Sequence, residues 1–255
     1  MEQNSRALIE SWEREEQEPF TGWDFSYLKE RMLEEHEPWS YDSRAAELMH
    51  GAESVLDIDT GGGERMLNLR PHWPKKVVVT EHYTPNFRLA TERMAPLGVR
   101  VIDTPSGDFD PLPFADGEFE LVLNRHGSFN SGEIARILAP GGTFLTQQIH
   151  GMWGHDLQAV FGAKPQWPDS TPAKYVPLLK VAGMKIVDLR EWEGKFAFTD
   201  VGAIVYYLKA VPWEVPGFSV QKNQKELLVL QERLNQGEEL AFWAGKYLIE
   251  ARKPV

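Results

Sequence analysis

The chain lacks cysteine, long apolar runs and dense clusters of basic residues. None of its 255 residues is a cysteine, which excludes disulfides, thiolate metal ligands and cysteine nucleophiles. Its apolar runs are too short to span a bilayer, and its polar, acidic N-terminus does not resemble a signal or transit peptide. We therefore expect a cytoplasmic protein without a membrane segment.

The charge balance is acidic, with a formal net charge of −11 and a pI of about 5.2. Nucleic-acid-binding proteins gain most of their affinity by neutralising phosphates, usually with a basic patch. Basic pairs such as Lys75 and Lys76 are isolated here, so a nucleic-acid partner is disfavoured. The length suffices for one large domain, or for one domain with a small cap.

From about residue 43 onward, short apolar runs alternate with helical stretches. The runs begin at Ser54, Lys76, Val99, Phe119, Gly142, Met184 and Leu240. Apolar strands separated by helices predict a parallel sheet covered on both faces, which is a doubly wound, Rossmann-like α/β fold. Upstream of these runs, the pattern predicts helices over about Ser5–Glu16 and Ser26–Glu35.

A glycine-rich turn follows the first predicted strand of the sheet, in "VLDIDTGGGE". Gly61, Gly62 and Gly63 would let the backbone approach a ligand at the carboxyl end of this strand. The second strand ends at Glu81, where a carboxylate is placed to accept hydrogen bonds from ribose hydroxyls. The alternatives are a tight turn without a ligand and an ordinary carboxylate at a strand end.

Four segments in this order resemble the class I S-adenosylmethionine-dependent methyltransferases, in particular the small-molecule branch. They are "VLDIDTGGGE", "VVVTEHYTPN", "GDFDPLPFADGEFELVL" and "EIARILAPGGTFL", and together they lie within Val55–Ile149. The resemblance implies a seven-stranded, mostly parallel sheet with helices on both faces and an antiparallel last strand. It also implies a helical, aromatic cap. We expect a cap segment over 1–42 and a methyltransferase domain over 43–255, with the cofactor core at 55–149 and substrate elements within 150–240.

The resemblance also implies S-adenosylmethionine as cofactor and methyl transfer to an oxygen, nitrogen or carbon of a small molecule. The amino-acid end of the cofactor would lie on the glycine turn, Glu81 would bind the ribose, Asp108 would face the adenine amino group and Phe109 would lie beside the ring. The expected cofactor-binding residues are Asp57, Asp59, Thr60, Gly61, Gly62, Gly63, Glu81, His82, Asp108, Phe109 and Asn124.

Asp59 departs from the pattern, because the family usually has glycine at this position beside the methionine moiety. Asp57 is the usual acidic residue and is retained. The Asp59 carboxylate could accept a hydrogen bond from the cofactor's ammonium group or repel its carboxylate. The sequence leaves both possibilities open.

Methyl transfer is an in-line displacement that needs alignment and, for some acceptors, a base. His126, after the fourth strand of the sheet, is the candidate base, since an imidazole titrates near neutrality. His150, after the fifth strand, is a second candidate, and Arg125 could pair with an acidic group of the substrate. Alternatively, these residues are bonded by the backbone at strand ends. A histidine metal site with Asp59 or Asp156 would follow no known spacing, so we expect no metal.

Aromatic residues are frequent outside the predicted cofactor core. We expect Trp23 and Tyr27 to line the substrate pocket, and most other tryptophans to pack the cap. Three other functions remain as alternatives: an RNA methyltransferase, a non-catalytic module that binds S-adenosylmethionine, and a nicotinamide oxidoreductase, which "LPFADGEFELVL" fits poorly. The sequence carries no signal for the oligomeric state.

Overall fold

A computed structural model describes residues 2–20 and 24–255. The helices of this part of the chain are α1 (Glu2–Gln17), α2 (Tyr41–His50), α3 (Glu64–Asn68), α4 (Thr84–Met94), α5 (Ser131–Ile137), α6 (His155–Val160), α7 (Pro172–Val181), α8 (Val201–Ala210) and α9 (Gln224–Asn235). The strands are β1 (Met32–Glu34), β2 (Ser54–Ile58), β3 (Lys76–Thr80), β4 (Arg100–Ile102), β5 (Phe119–Arg125), β6 (Leu138–Ile149), β7 (Lys185–Phe198) and β8 (Leu240–Arg252).

The strands form one mixed sheet in the order β1-β7-β8-β6-β5-β2-β3-β4. The five consecutive strands β6, β5, β2, β3 and β4 pair in parallel with one another, as the continuous apolar runs predict. The last strand, β8, pairs antiparallel with β6, which confirms that part of the prediction.

The prediction of seven strands is wrong, because the described part of the chain forms a sheet of eight. The additional strand is β1, which pairs antiparallel with β7 through Met32 opposite Phe198. The predicted helix over Ser26–Glu35 is also wrong. This segment contains a short 3₁₀ turn at Ser26–Leu28 followed by β1, because its backbone hydrogen bonds go to the distant strand β7.

The chain divides into two compact units. The first contains Met1–His36, His150–Pro168 and Glu193–Gly245, and the second contains Glu37–Ile149, Asp169–Trp192 and Lys246–Val255. The functional boundaries expected from the sequence, at residues 42, 149 and 240, remain a prediction.

The core of the second unit has two layers because successive strand residues face opposite sides of the sheet. On one side, Leu56 and Val122 pack with Ile134 of α5 and Leu179 of α7. On the other side, strand residues pack with residues of α2, α3 and α4. These two layers place helices on both faces of this part of the sheet and leave the carboxyl ends of β2, β3 and β5 to form the candidate site.

The first unit has an aromatic core. Trp153 stacks on Phe196 with ring centroids 4.9 Å apart, and Phe198, Tyr207 and Phe242 surround this pair. An ion cluster, in which Arg31 contacts Glu15 and Asp200 at 2.9 and 2.7 Å, links α1 to the start of α8. Within residues 2–20 and 24–255, no helix is both long and apolar enough to cross a membrane.

Candidate functional site

The glycine turn joins β2 to α3 at the carboxyl edge of the parallel strands. Gly61 and Gly63 have φ angles of 65° and 86°, which lie in the left-handed region that favours glycine. A Cβ on Gly62 would lie 2.8 Å from Leu89, and one on Gly63 would lie 2.7 Å from Met94. The close approach of α4 therefore accounts for two of the three glycines without a ligand.

Glu81 fixes the geometry of this turn. Its Oε2 accepts a hydrogen bond from the Gly61 N–H at 2.9 Å, and its Oε1 accepts from the N–H groups of His82 and Tyr83 at 2.9 and 2.8 Å. The residue is 6% exposed. A carboxylate has about four acceptor positions, so Oε2 keeps one for a further donor.

Asp59 has a φ angle of 58°, a left-handed conformation that aspartate tolerates better than most residues. Its N–H donates to the Thr80 hydroxyl at 3.3 Å, and its Oδ2 accepts a hydrogen bond from the Ser106 hydroxyl. The Asp59 carboxylate also fills the space beside Gly127, in the loop after β5. The side chain of Asp59 is thus held by the segment after β4 and by the loop after β5.

Burial raises the pKa of two carboxylates beside this turn, Asp57 and Asp59. Burial raises the pKa of Asp57 to about 7, against the opposing effect of the Thr60 hydroxyl, and Asp59 raises it further. Burial raises the pKa of Asp59 to about 6, while Ser106 opposes this change and Glu81 adds to it. The site is therefore acidic but partly protonated near neutrality.

Asp108 is already engaged in the structure. Its Oδ2 lies 2.7 Å from Lys174 Nζ, and its Oδ1 accepts from the Tyr175 hydroxyl at 3.2 Å. Its side chain is 26% exposed, so each oxygen keeps acceptor capacity toward solvent. Phe109, the next residue, is 92% exposed, and His82 forms an exposed pair with Asp103 at 2.9 Å. The cofactor roles of these residues stay predictions.

Asn124 ties the ends of three strands together. Its Nδ2 donates to the Ile58 carbonyl at 3.3 Å, and its Oδ1 accepts from Thr146 Oγ1 at 3.0 Å and from Gln148 Nε2 at 2.6 Å. The residue is fully buried. This network holds β2, β5 and β6 in register, whereas the predicted contact of Asn124 with the cofactor stays a prediction.

Arg125 and His126 follow Asn124 at the end of β5. His126 has a φ angle of 61°, and part of its surface is exposed to solvent. The surrounding protein, followed by the cations Arg125, Lys246 and Arg65, lowers the pKa of the His126 imidazole well below its usual range. The imidazole is therefore neutral at pH 7 but a weaker base than an ordinary histidine, and its role as the catalytic base stays a prediction.

Two further predicted residues, His150 and Tyr27, lie in the first unit. His150 packs edge-to-face on Trp243, with ring centroids 5.2 Å apart, and its Nδ1 accepts from the Met152 N–H. Tyr27 packs on Tyr206 at 4.5 Å. Trp23 lies outside the described residues. The role of His150 as a base stays a prediction, as do the pocket roles of Tyr27 and Trp23.

The sequence did not point to four residues of this site. Ser106 and Gly127 contact Asp59, and Lys174 and Tyr175 contact Asp108. Each comes from a segment distant in sequence, so no local pattern could identify it. Within residues 2–20 and 24–255, no group of three or more histidine or carboxylate side chains is arranged to hold a metal ion.

Comparison with known proteins relates the chain to methyltransferases. It is 28% identical over 114 residues to the demethylmenaquinone methyltransferase of Deinococcus radiodurans, covering 42% of this chain and 47% of that protein. It is 32% identical over 105 residues to the enzyme of the same name from Thermus thermophilus, covering 37% and 46%. The chain thus spans about half the length of the curated relatives it matches. No protein-family model matches it.

The fold is also similar to that of solved structures. A protein of Bacillus halodurans C-125, described as a candidate methyltransferase, superimposes with a TM-score of 0.60 at 20% identity, covering 84% of this chain and 97% of that one. The resemblance of the sequence to the methyltransferases is confirmed, and the chain has a methyltransferase-like α/β fold.

Proposed function

We propose that the protein is an S-adenosylmethionine-dependent methyltransferase that acts on a small organic molecule. The observation that carries this proposal is the link between Glu81 and Gly61 at the carboxyl ends of β3 and β2. It joins the acidic strand end to the glycine turn within hydrogen-bond distance, and ligands of open α/β sheets bind at this edge. The similarity to curated methyltransferases over 105 to 114 residues supports the same function.

The residues present fit two parts of the cofactor, its ribose and its adenine. The remaining acceptor position on Glu81 Oε2 suits a ribose hydroxyl, and Asp108 keeps acceptor capacity for the adenine amino group. The exposed ring of Phe109 suits the face of the adenine. Asp59 is the exception, because its carboxylate fills the space beside Gly127, in the loop after β5, at the edge where the cofactor would bind.

When bound, the cofactor supplies an electrophilic methyl group on a sulfonium. The protein's part is to align the acceptor with that group and to remove a proton where the acceptor carries one. In this proposal His126 takes the proton on its neutral imidazole. The net charge of −11 disfavours RNA as the acceptor.

The proposal is tested first by calorimetry with S-adenosylhomocysteine, for the parent protein and for Glu81→Gln. We expect binding by the parent and weaker binding by the variant. No binding at millimolar ligand would refute the proposal. A second measurement follows the release of S-adenosylhomocysteine from S-adenosylmethionine over a panel of small-molecule acceptors. Binding without turnover on any of them would favour the non-catalytic binding module instead.

A further inference from the structure

Three cations of the second unit act on His126, the residue after β5. They are Arg65 of α3, Arg125 of β5 and Lys246 of β8, and each acts on the electrostatics of His126. Two of them have carboxylate partners. Arg65 pairs with Asp42, and Lys246 Nζ lies 2.9 Å from Glu37 Oε2. The pairing leaves Arg125 as the cation in excess.

Arg125 has no hydrogen-bond or ion-pair partner among residues 2–20 and 24–255, and its Nε is buried from solvent. Burial, followed by the neighbouring Arg65, lowers the pKa of Arg125. A guanidinium stays charged at neutral pH, so this arrangement disfavours the folded state. Such a cost is relieved when an anion pairs with the guanidinium.

The polar groups around Arg125 are already occupied by one another. Gln147, its cross-strand partner, accepts from Trp39 Nε1 at 2.8 Å and donates to Glu37 at 3.1 Å. Tyr41 donates its hydroxyl hydrogen to the Asn124 carbonyl at 3.3 Å. None of these hydrogen bonds involves Arg125.

We propose that Arg125 binds a carboxylate group of the methyl acceptor and holds that acceptor beside His126. This inference rests on the proposed function and adds the substrate class, an organic anion. Arg125 and His126 are consecutive residues, so a group held by the first lies next to the candidate base. The planar guanidinium suits a carboxylate, which it can bind through two parallel hydrogen bonds.

The acceptor is favoured over the cofactor's own carboxylate by the position of the charges. Arg65 belongs to α3, which begins directly after the glycine turn, whereas Arg125 lies at the end of β5 and not on the segment that forms the turn. The turn itself is surrounded by Asp57, Asp59 and Glu81, which do not favour a second anion. An anion at Arg125 instead meets a guanidinium that has no hydrogen-bond or ion-pair partner in the described part of the chain.

The test measures binding of acetate and benzoate by calorimetry, with acetamide and benzamide as neutral probes of the same shape. We expect the parent protein to bind the anions and not the amides. Arg125→Met should weaken anion binding at least about tenfold, as expected when a charge-assisted hydrogen bond is lost. Arg125→Lys should retain part of it. The matched control is Arg100→Met, which removes the same charge from the opposite end of a parallel strand.

A second readout is the His126 imidazole, whose NMR resonance is assigned with His126→Gln. Bound acetate should raise the pKa of His126 in the parent protein, because it neutralises the adjacent guanidinium, and should leave it unchanged in Arg125→Met. A merely structural role of Arg125 would not produce this difference. Absence of anion binding by the parent, or equal binding by Arg125→Met, overturns the inference.

The cofactor is excluded as the source of the anion by comparing S-adenosylhomocysteine with methylthioadenosine, which lacks the amino-acid end. We expect Arg125→Met to bind both as the parent does. Selective weakening of S-adenosylhomocysteine would assign Arg125 to the cofactor and overturn the inference. Failure of the parent to bind either nucleoside would refute the proposed function, whereas the acetate measurements report on Arg125 independently.

Discussion

Asp59 and Gly127 lie against each other where β2 and β5 end. A Cβ on Gly127 would lie 2.9 Å from the Asp59 Cβ, and the Asp59 carboxylate comes closer still. The left-handed φ angle of 58° sets the direction of this side chain. The missing side chain at residue 127 therefore makes room for the unusual one at residue 59.

We expect Asp59→Gly to bind S-adenosylhomocysteine at least as tightly as the parent protein at pH 7. Glycine adopts a positive φ without strain, which favours the folded state of the variant by about 1 kcal/mol. The replacement also removes a carboxylate that could repel the carboxylate of the ligand. Calorimetry measures the affinity, and urea unfolding checks that the variant is folded. A clear loss of affinity in a folded variant would instead identify Asp59 as a ligand of the cofactor.

Gly127→Ala should destabilise the protein by about 1–3 kcal/mol, because the new methyl group overlaps Asp59. Most of this loss should disappear in the double variant with Asp59→Gly, and a double-mutant cycle measures that coupling. Gly51→Ala is the control, since its Cβ would approach nothing closer than 3.8 Å. Strictly additive effects of the two substitutions would contradict the contact.

Glu81→Ala should lower both the affinity for S-adenosylhomocysteine, by about 1–3 kcal/mol, and the free energy of unfolding. The second effect follows because three backbone N–H groups lose their acceptor. Glu81→Gln retains one acceptor oxygen and should be the more stable of the two variants. Affinity equal to that of the parent in a folded Glu81 variant would remove this residue from the site.

Lys174→Met should leave the affinity for methylthioadenosine unchanged or slightly higher. The ion pair with Asp108 is partly exposed, so its loss should cost less than about 1 kcal/mol of stability. The released carboxylate would still accept from the Tyr175 hydroxyl and from an adenine amino group. Asp108→Asn is the companion variant and should bind more weakly. If Lys174→Met binds as weakly as Asp108→Asn, the lysine itself positions the nucleoside.

The sequence predicts best those features that are encoded locally. All five residues of β2 are buried, and its apolar run shows this directly. Gly61 and Glu81 lie at the predicted strand ends for the same reason. β1 was missed because Met32–Glu34 acquires its hydrogen bonds from residues more than 160 positions away. The partners of Asp108 are 66 and 67 residues distant, so only the folded chain brings them together.

Glu214 of the first unit should make the stability of the protein depend on pH. Its side chain is 8% exposed, and its Oε2 accepts a hydrogen bond from Gln158 Nε2. Burial raises the pKa of Glu214 from its ordinary 4.5 to about 7, while Gln158 opposes this change. The folded protein thus keeps a proton on Glu214 over a range of pH in which the unfolded chain has released it.

The sign of the effect follows from this order of proton release. Below pH 4.5 the carboxyl is protonated in both states, so its full stabilising contribution is present. Between pH 4.5 and about 7 only the unfolded chain ionises, and the free energy of unfolding falls by up to about 3 kcal/mol. Above about pH 7 both states are ionised, and the loss is complete.

Glu214→Gln removes the ionisation and retains the shape, so its stability should not fall over this range on account of residue 214. Urea unfolding at several pH values should show the variant gaining on the parent as the pH rises from 4.5 to about 7, and a constant difference above that. Glu239→Gln, at an exposed position of the same unit, should follow the parent. The contrary outcome is a difference in the free energy of unfolding between Glu214→Gln and the parent that is the same at every pH. In that case the pKa of Glu214 is not raised in the folded state, because the polar surroundings of its carboxylate outweigh its burial.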